Sequence, residues 1–385
     1  MINIAHDSVC FGCGVCAVSC AKKAIEITLS EDGFWIPKIN HDRCVECGIC
    51  NKVCSYSDNI ISSSDDRTET AKAYAVVNKD GDILSASTSG GAGFAIATYL
   101  HQKGYTLVGV RYNTEKGIAE HFVTNQLDEF KQTMNSKYIP SYTVDGFDSL
   151  MDGRKYAIFG TPCQIDSLRR WVQLRKKEPN FIFIDLFCHG VPSYLLWTAY
   201  INHHIGENEN LLRPVFRDKC NGWHAYTMSL LTDKRRISTT QQHNDLFQNI
   251  FLGDFSLNTP CYTCKFRATK SAADIRIGDL WGGKYANNDS GVTGVLTFTN
   301  KGETVIGNLL EYCHITNETV PVILAGQLLS DLPVPKQRKK LLKSIRRGKS
   351  LPKLYFIYCH RMWIKNLVPY KVKCLLKKII YKLKR

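Results

Sequence analysis

The sequence predicts a mixed α/β protein, α+β overall, built from a small cysteine-rich module, a larger body and a basic C-terminal helical tail. Two identical cysteine runs near the start indicate the module. A strand, helix and strand pattern over about 35 residues indicates parallel strands in the body. With 385 residues and 44% apolar content, the chain is long enough for two or three domains and too apolar to be disordered.

The first ten residues include Asp7 and Cys10 and lack the apolar stretch that a secretory signal needs. We therefore expect a cytoplasmic protein whose 16 cysteines serve metal ligation or redox chemistry, not disulfides. Residues 83–102 are too polar, and residues 319–330 too few, to span a bilayer. The sequence therefore predicts no transmembrane helix.

Two cysteine runs share the pattern C-x2-C-x2-C-x3-C, and the second starts 34 residues after the first. In this spacing the first three thiolates bind one 4Fe-4S cluster, and the fourth binds the cluster of the other run. The expected ligand sets are Cys10, Cys13 and Cys16 with Cys54, and Cys44, Cys47 and Cys50 with Cys20. Two zinc sites are the alternative, but zinc ligands usually come as CxxC pairs with a longer spacer.

Short strands are predicted at 24–29 and 34–39, between the two runs. Residues 1–58 as a whole resemble the two-cluster bacterial ferredoxin module. The Pro that usually follows the fourth cysteine is replaced by Ala21 in one run and by Ser55 in the other. This departure affects the expected reduction potentials and not the ligation.

A segment rich in Ser, Asp and Thr predicts a linker, placed at residues 59–72, before the body. The body is divided into residues 73–150 and 151–335. Its predicted strands lie at 73–77, 105–112, 120–124, 155–159, 181–187 and 274–280, and its predicted helices at 91–102, 127–134 and 164–172. Small residues before the helix at 91 leave backbone N–H groups free to face a phosphate, although an ordinary capped turn is the commoner explanation.

Four body cysteines form a second kind of pattern. Cys163 and Cys188 follow the ends of two strands predicted to be parallel, where open α/β sheets bind ligands. Cys261 and Cys264 form a CxxC pair before another strand. A third 4Fe-4S cluster held by these four residues is a hypothesis. The alternatives are a structural zinc site and unrelated buried cysteines.

Several segments of the body, in order, resemble the beta subunits of coenzyme F420 hydrogenases and dehydrogenases. The matching segments are SGGAGFAIATYL (89–100), NSKYI (135–139), FGTPCQIDSLRR (159–170), DLFCHGVPS (185–193), FRDKCNGW (216–223), PCYTCKF (260–266) and DIRIGDLWG (274–282). The resemblance covers residues 73–332, so that 73–150 and 151–335 correspond to the N-terminal and C-terminal regions of those beta subunits. Members of the family with a fused ferredoxin module match the whole arrangement.

The resemblance implies a flavin, usually FAD, beside a 4Fe-4S cluster, with hydride exchanged between the flavin and a deazaflavin or another two-electron carrier. It implies that the four body cysteines ligate the third cluster. It also implies flavin or phosphate contacts by Ser89, Gly90, Gly91, Lys137, Tyr138, Thr161 and Pro162, with His189 placed to approach the flavin. The ordinary alternative for each is a cap, a turn or a surface charge, and no catalytic acid or base is assigned.

The tail, residues 336–385, holds 18 Lys and Arg and no acidic residue, so the rest of the chain is close to neutral although the total is +15. Apolar residues recur there at helical spacing: Val372, Leu375, Leu376, Ile379, Ile380 and Leu383. Such a helix binds an anionic membrane surface, with further anchors at 354–358 and 362–364, or packs on the body. Nucleic acid is not expected, and an acidic partner such as ferredoxin would also be attracted.

The sequence thus favours an iron–sulfur flavoprotein oxidoreductase that moves electrons between a two-electron carrier and one-electron clusters. The expected exchange partner is a ferredoxin or a reduced deazaflavin. The expected location is the cytoplasm, at the inner face of the cell membrane if the tail binds lipid. The alternatives are a non-catalytic electron-transfer or accessory protein, which would lack flavin, and a reductase of surface-polysaccharide biosynthesis.

Overall fold

The computed structural model describes residues 9–56, 66–241 and 245–367, and side chains up to residue 360. The strands are β1 (Ile25–Leu29), β2 (Trp35–Ile39), β3 (Lys72–Asn78), β4 (Thr106–Asn113), β5 (Ile118–Thr124), β6 (Ser141–Tyr142), β7 (Tyr156–Gly160), β8 (Phe181–Leu186), β9 (Leu211–Asp218), β10 (Thr227–Thr232), β11 (Arg236–Thr240), β12 (Ile275–Asp279), β13 (Thr293–Thr297) and β14 (Cys313–Glu318). The helices are α1 (Val15–Val18), α2 (Ile49–Val53), α3 (Gly81–Ala86), α4 (Ala92–Gln102), α5 (Leu127–Phe130), α6 (Val144–Phe147), α7 (Pro162–Leu174), α8 (Tyr194–His204), α9 (Leu246–Leu252), α10 (Thr259–Tyr262), α11 (Asn300–Gly307), α12 (Val320–Leu324), α13 (Arg338–Arg346) and α14 (Leu351–Leu367).

The module consists of one hairpin and two short helices. Strands β1 and β2 pair antiparallel, with Ile25 opposite Ile39 and Leu29 opposite Trp35, which confirms both predicted strands. Each cysteine run contains one of these helices, which begins just before the third cysteine and ends before the fourth. Gly14 and Gly48 cap these helices in the left-handed region, at φ 71° and 72°, a conformation that strongly favours glycine.

A nine-stranded mixed sheet forms the centre of the body, in the order β14-β3-β13-β12-β8-β7-β4-β5-β6. Its four middle strands, β12, β8, β7 and β4, run parallel to one another. The predicted βαβ unit is confirmed, since β7, α7 and β8 follow in sequence and the two strands are parallel neighbours. Apolar clusters cover both faces of this sheet, one with α4 and α11 and the other with α7.

A second, three-stranded antiparallel sheet of β9, β10 and β11 was not predicted from the sequence. Its strands carry charged residues and Pro214, which weaken the apolar alternation on which strand prediction depends. The sheet contributes Phe216, Met228 and Leu230 to a separate core with α8 and α9. The predicted helix at 127–134 is shorter than expected, because α5 ends at Phe130 and a 3-10 turn follows.

The module and the body share an apolar core. Val15 and Val53 from the module are fully buried in one cluster with Phe147 and Leu168 of the body. Burying one such side chain contributes about 1.5–3 kcal/mol to the stability of the folded chain. The module is therefore packed against the body. Ser55, at the start of the Ser-rich segment, is buried too. Residues 57–65 of that segment lie outside the described part of the chain.

The described part of the basic tail packs on the body. Leu341 and Leu342 of α13 and Leu354 and Tyr355 of α14 are buried in the core formed with α8 and α9. Leu354 and Tyr355 are therefore core residues, which corrects their prediction as membrane anchors. The predicted anchors at 362–364 and the amphipathic helix from residue 371 lie outside the described side chains. No helix in the described ranges is long and apolar enough to cross a membrane.

Candidate redox site

The structure brings one predicted ligand set together around a small cavity in the module. We call its members the inner cysteine set: Cys10, Cys13, Cys16 and Cys54. Burial, together with the nearby Cys54, raises the pKa of the Cys13 thiol to about 11. Burial and the neighbouring cysteines also hold the pKa of Cys16 well above its usual range. The positively charged iron–sulfide core of a cluster would relieve this repulsion between thiolates.

The other predicted set lies nearer the surface. We call it the outer cysteine set: Cys20, Cys44, Cys47 and Cys50. Burial raises the pKa of Cys50, and the charges of Cys47 and Cys20 act in the same direction, which places these three sulfurs near one another. Cys47 is exposed, and the neighbouring Val45 is 60% exposed. The outer set is thus open to solvent.

The body cysteines come from three separate segments and line one large cavity. We call them the body cysteine set: Cys163, Cys188, Cys261 and Cys264. Cys163 lies in the first turn of α7, directly after β7, and Cys188 follows the parallel neighbour β8. Cys261 is in α10, and Cys264 lies just beyond it. The sheet topology therefore brings together residues separated by up to 101 positions in the sequence.

The electrostatics of the body set resemble those of the inner set, with added cations. Burial raises the pKa of Cys188 to about 11 and holds that of Cys163 well above its usual range. The guanidinium groups of Arg267 and Arg276 act in the opposite direction on Cys188 and Cys264. These two cations would partly compensate a negatively charged cluster with thiolate ligands.

The donor chemistry of all three sets fits 4Fe-4S clusters, each of which takes four cysteine thiolates. Within the described ranges, no three Cys, His, Asp or Glu side chains converge closely enough to hold a single metal ion. A cubane distributes its thiolates over four separate irons. Gly190 leaves room beside the body set, because a Cβ there would lie 3.1 Å from the Cβ of Cys261.

The large cavity has a volume of about 460 Å³, within the usual range for sites that bind cofactors. Besides the body set, its lining includes most of the residues predicted to contact flavin: Ser89, Gly91, Lys137, Tyr138, Thr161, Pro162 and His189. Gly90 is the exception. It packs against the sheet, where a Cβ would lie 2.2 Å from the carbonyl oxygen of Val76 and 2.5 Å from the amide nitrogen of Thr293.

Two of the predicted residues in this lining, Lys137 and His189, carry basic side chains. Burial lowers the pKa of Lys137 to about 7, and its Nζ donates to the carbonyl oxygens of Gln132 and Met134, at 2.9 and 3.1 Å. His189 pairs through Nε2 with Oδ1 of Asp254, at 2.7 Å. Both side chains therefore have protein partners and line the cavity with a polar surface.

Sequence reasoning missed a group of residues at the other end of the cavity. Arg217 donates to Asp279 at 2.8 Å, and its guanidinium lies 3.9 Å from the ring centre of Tyr226. Lys219 donates through Nζ to the carbonyl oxygens of Ser89 at 2.7 Å and Ser290 at 2.5 Å. The motif FRDKCNGW was noted without a role. Only Arg217 lies in β9, which ends at Asp218, so strand periodicity does not relate it to Lys219.

The inner set lies directly against the wall of the large cavity. Phe11 and Gly12, from the loop of the inner set, line the cavity, and the ring of Phe11 lies 6.0 Å from that of Phe266. Asn258 donates through Nδ2 to the carbonyl oxygen of Cys10 at 2.9 Å. The charge of Cys13 acts on the pKa of Cys163, so these sulfurs of two different sets are neighbours.

A two-cluster cysteine module beside a cavity at the ligand-binding edge of an α/β sheet is the arrangement of an iron–sulfur protein with an additional binding site. Comparison with known families agrees. Residues 9–57 match the 4Fe-4S dicluster domain, and residues 153–321 match the C-terminal domain of the beta subunits of coenzyme F420 hydrogenase/dehydrogenase. The chain thus matches that C-terminal domain over less than half of its length, with a 4Fe-4S dicluster match in front of it.

Individual relatives are distant. The chain is 26% identical over 197 residues to the F subunit of the F(420)H(2) dehydrogenase of Methanosarcina mazei, an alignment that covers 48% of this chain. It spans about half of that relative's length, 54%. A solved structure of the F420-reducing [NiFe] hydrogenase complex from Methanosarcina barkeri aligns with 14% identity and a TM-score of 0.49, over 73% of this chain and 90% of the other.

Proposed function

We propose that the protein is an iron–sulfur flavoprotein oxidoreductase that exchanges electrons between a two-electron hydride carrier and single-electron partners. The observation that carries the proposal is the large cavity, whose wall holds both the body cysteine set and the residues predicted to contact flavin. A flavin takes two electrons as a hydride and releases them one at a time to a cluster. Such an exchange needs both groups at one site.

The residues of the cavity fit a flavin nucleotide. The segment that ends at Gly91 precedes α4, an 11-residue helix whose N-cap Gly91 has no side-chain cap, so N–H groups there are available to a phosphate. Lys137 contributes an amino group and Tyr138 an aromatic ring to the same wall. The backbone of Ser89 is held from behind by Lys219. These residues would bind and orient the cofactor.

The positions of the three cysteine sets suggest a route for electrons through the protein. The body set lines the cavity, the inner set adjoins the body set, and the outer set ends at the exposed Cys47. We propose that the outer set is where a one-electron partner such as a ferredoxin docks. The hydride carrier, a reduced deazaflavin or a comparable molecule, would enter the large cavity.

Metal and flavin analysis of anaerobically purified protein tests the proposal. Three 4Fe-4S clusters require about 12 iron and 12 sulfide per chain, and two clusters require about 8. We expect about 12 iron with one released FAD, and reduction of the clusters by a reduced deazaflavin or a nicotinamide. About 8 iron without flavin, also after reconstitution, would contradict the proposal and favour the accessory electron carrier. Activity on a sugar-linked substrate alone would favour the surface-polysaccharide alternative.

We also propose that the C-terminal tail brings the protein to an anionic membrane surface. The observation in favour is that Phe356 and Ile357 of α14, upstream of the basic helix predicted from residue 371, are 56% and 47% exposed. Sedimentation with phosphatidylserine vesicles should recover the protein, and sedimentation with phosphatidylcholine vesicles should not. Unchanged recovery of the double variant F356S/I357S would contradict a role for these residues.

A further inference from the structure

One helix of the body reaches two cysteine sets. Cys163, of the body set, lies in the first turn of α7, and Ser167 lies four residues later, on the same face of the helix. Ser167 is fully buried, and its Oγ lies 3.3 Å from Sγ of Cys13, of the inner set. A body residue is thus in direct contact with a predicted ligand of a module cluster.

The hydrogen-bond roles follow from the chemistry of ligation. A cysteine that binds iron is a thiolate and has no hydrogen to donate. The backbone N–H of Ser55 already donates to Ser167 Oγ, at 3.1 Å. The hydroxyl therefore accepts from Ser55 and has its own hydrogen left for Cys13. In the ligated state, Ser167 is the donor and the Cys13 sulfur is the acceptor.

We propose that Ser167 is a positioning residue that sets the reduction potential of the inner cluster, so that the body tunes a centre of the module. The proposal uses the cluster ligands of the proposed function and does not depend on flavin or on a third cluster. A hydrogen bond to a ligating sulfur stabilises the extra negative charge of the reduced cluster. The hydroxyl therefore raises the inner potential and favours electron arrival from the neighbouring body set.

The test is a redox titration of the full-length reconstituted protein, followed by electron paramagnetic resonance. In Ser167→Ala, one cluster signal should shift to a more negative potential while the other signals stay unchanged. Cys47→Ser, in the outer set, should shift a different signal. Ser256→Ala is the matched control, because Ser256 Oγ is buried without a hydrogen-bond partner among the described residues and lies outside both cavities. Its potentials should equal those of the unaltered protein.

Two results would overturn the proposal: unchanged potentials in S167A at full iron content, or S167A and C47S shifting the same signal. A second measurement uses the unaltered protein. After reconstitution in D2O, electron–nuclear double resonance of the inner cluster should detect an exchangeable hydrogen close to Cys13 Sγ in addition to the backbone N–H of Gly12, which donates to Cys10 Sγ at 3.3 Å. Absence of the hydrogen at Cys13 would overturn the proposal even if S167A failed to assemble. Loss of flavin or of a third cluster would contradict the proposed function and leave this test intact.

Discussion

The outer and body cysteine sets each have four thiols, but the surroundings of the two sets differ. The outer set lies in a small module with Cys47 exposed, and water there can screen the charge of a cluster. In the body set, which lines a cavity, no cysteine is exposed, and Arg267 and Arg276 lie close enough to act on the pKa values of Cys188 and Cys264. The outer set is thus suited to electron exchange with an external protein, and the body set is suited to chemistry that water would disturb.

The burial of the body set depends on a buried ion pair. Arg276 donates through Nε and Nη2 to Asp185, at 2.7 and 2.6 Å, and both side chains are almost fully buried. The same guanidinium donates to the carbonyl oxygens of Phe266 and Ala268, in the segment after Cys264. Arg276 therefore both supplies a charge and fixes the chain that carries the CxxC pair.

The largest expected effect comes from removing one cluster ligand from the body set or from the outer set. Cys163→Ser should lower the iron content from about 12 to about 8 per chain and abolish flow of electrons from the cavity to the module. Cys47→Ser should retain reduction of the inner cluster and lose mainly transfer to an external acceptor. Stopped-flow reduction with iron analysis measures both. Cys220→Ser, at an exposed cysteine outside the three sets, is the control and should behave as the unaltered protein.

The next effect concerns stability. Arg276→Met leaves Asp185 buried without its partner, and removing one member of a buried ion pair costs about 3–5 kcal/mol. Lys23 and Asp148 form an exposed pair between module and body, so Lys23→Ala should cost less than about 1 kcal/mol. Urea unfolding measures the two free energies. Similar losses of unfolding free energy in both variants would show that burial does not increase the cost of breaking the Arg276–Asp185 pair.

Acid should destabilise the body through His121. Burial lowers the pKa of this histidine to about 4 from its usual 6.5, while its Nε2 bonds the carbonyl oxygen of Phe159. The unfolded chain takes up the proton first, so stability is complete above pH 6.5 and falls as the pH drops toward 4. The loss is about 3 kcal/mol. Unfolding of His121→Phe between pH 7 and 4 should show a flatter decline, and an equally steep one would contradict this assignment.

The smallest effect concerns Lys219, which donates to the backbone of Ser89 in the wall of the large cavity. Lys219→Met removes the hydrogen bonds that hold the segment around Ser89, and we expect FAD to bind about tenfold more weakly. Riboflavin, which has no phosphate, should bind with unchanged affinity. Lys79→Met is the control, because Lys79 also donates to a backbone carbonyl, that of Leu310, away from the cavity. Equal weakening of FAD and riboflavin would indicate a general disruption.

The parts that could be predicted from the sequence are those whose geometry is local. The cysteine runs, the β1–β2 hairpin and the β7–α7–β8 unit each depend on spacing within about 35 residues. The body set combines Cys163 with Cys261, which periodicity cannot relate, so the pattern alone gave a hypothesis that the family resemblance strengthened. Lys219 was missed because its partners are backbone carbonyls, and these leave no signature in the sequence.

The shared core has a consequence for how the protein is made. Val53 leaves the ribosome more than 100 residues before Leu168, with which it is buried. Synthesis adds roughly 5–20 residues per second, so the apolar side of the module stays uncovered for on the order of 10 s. Although it comes first in the chain, the cysteine-rich segment cannot complete its packing first. Iron delivered to the nascent chain therefore reaches the module while its apolar surface is still uncovered.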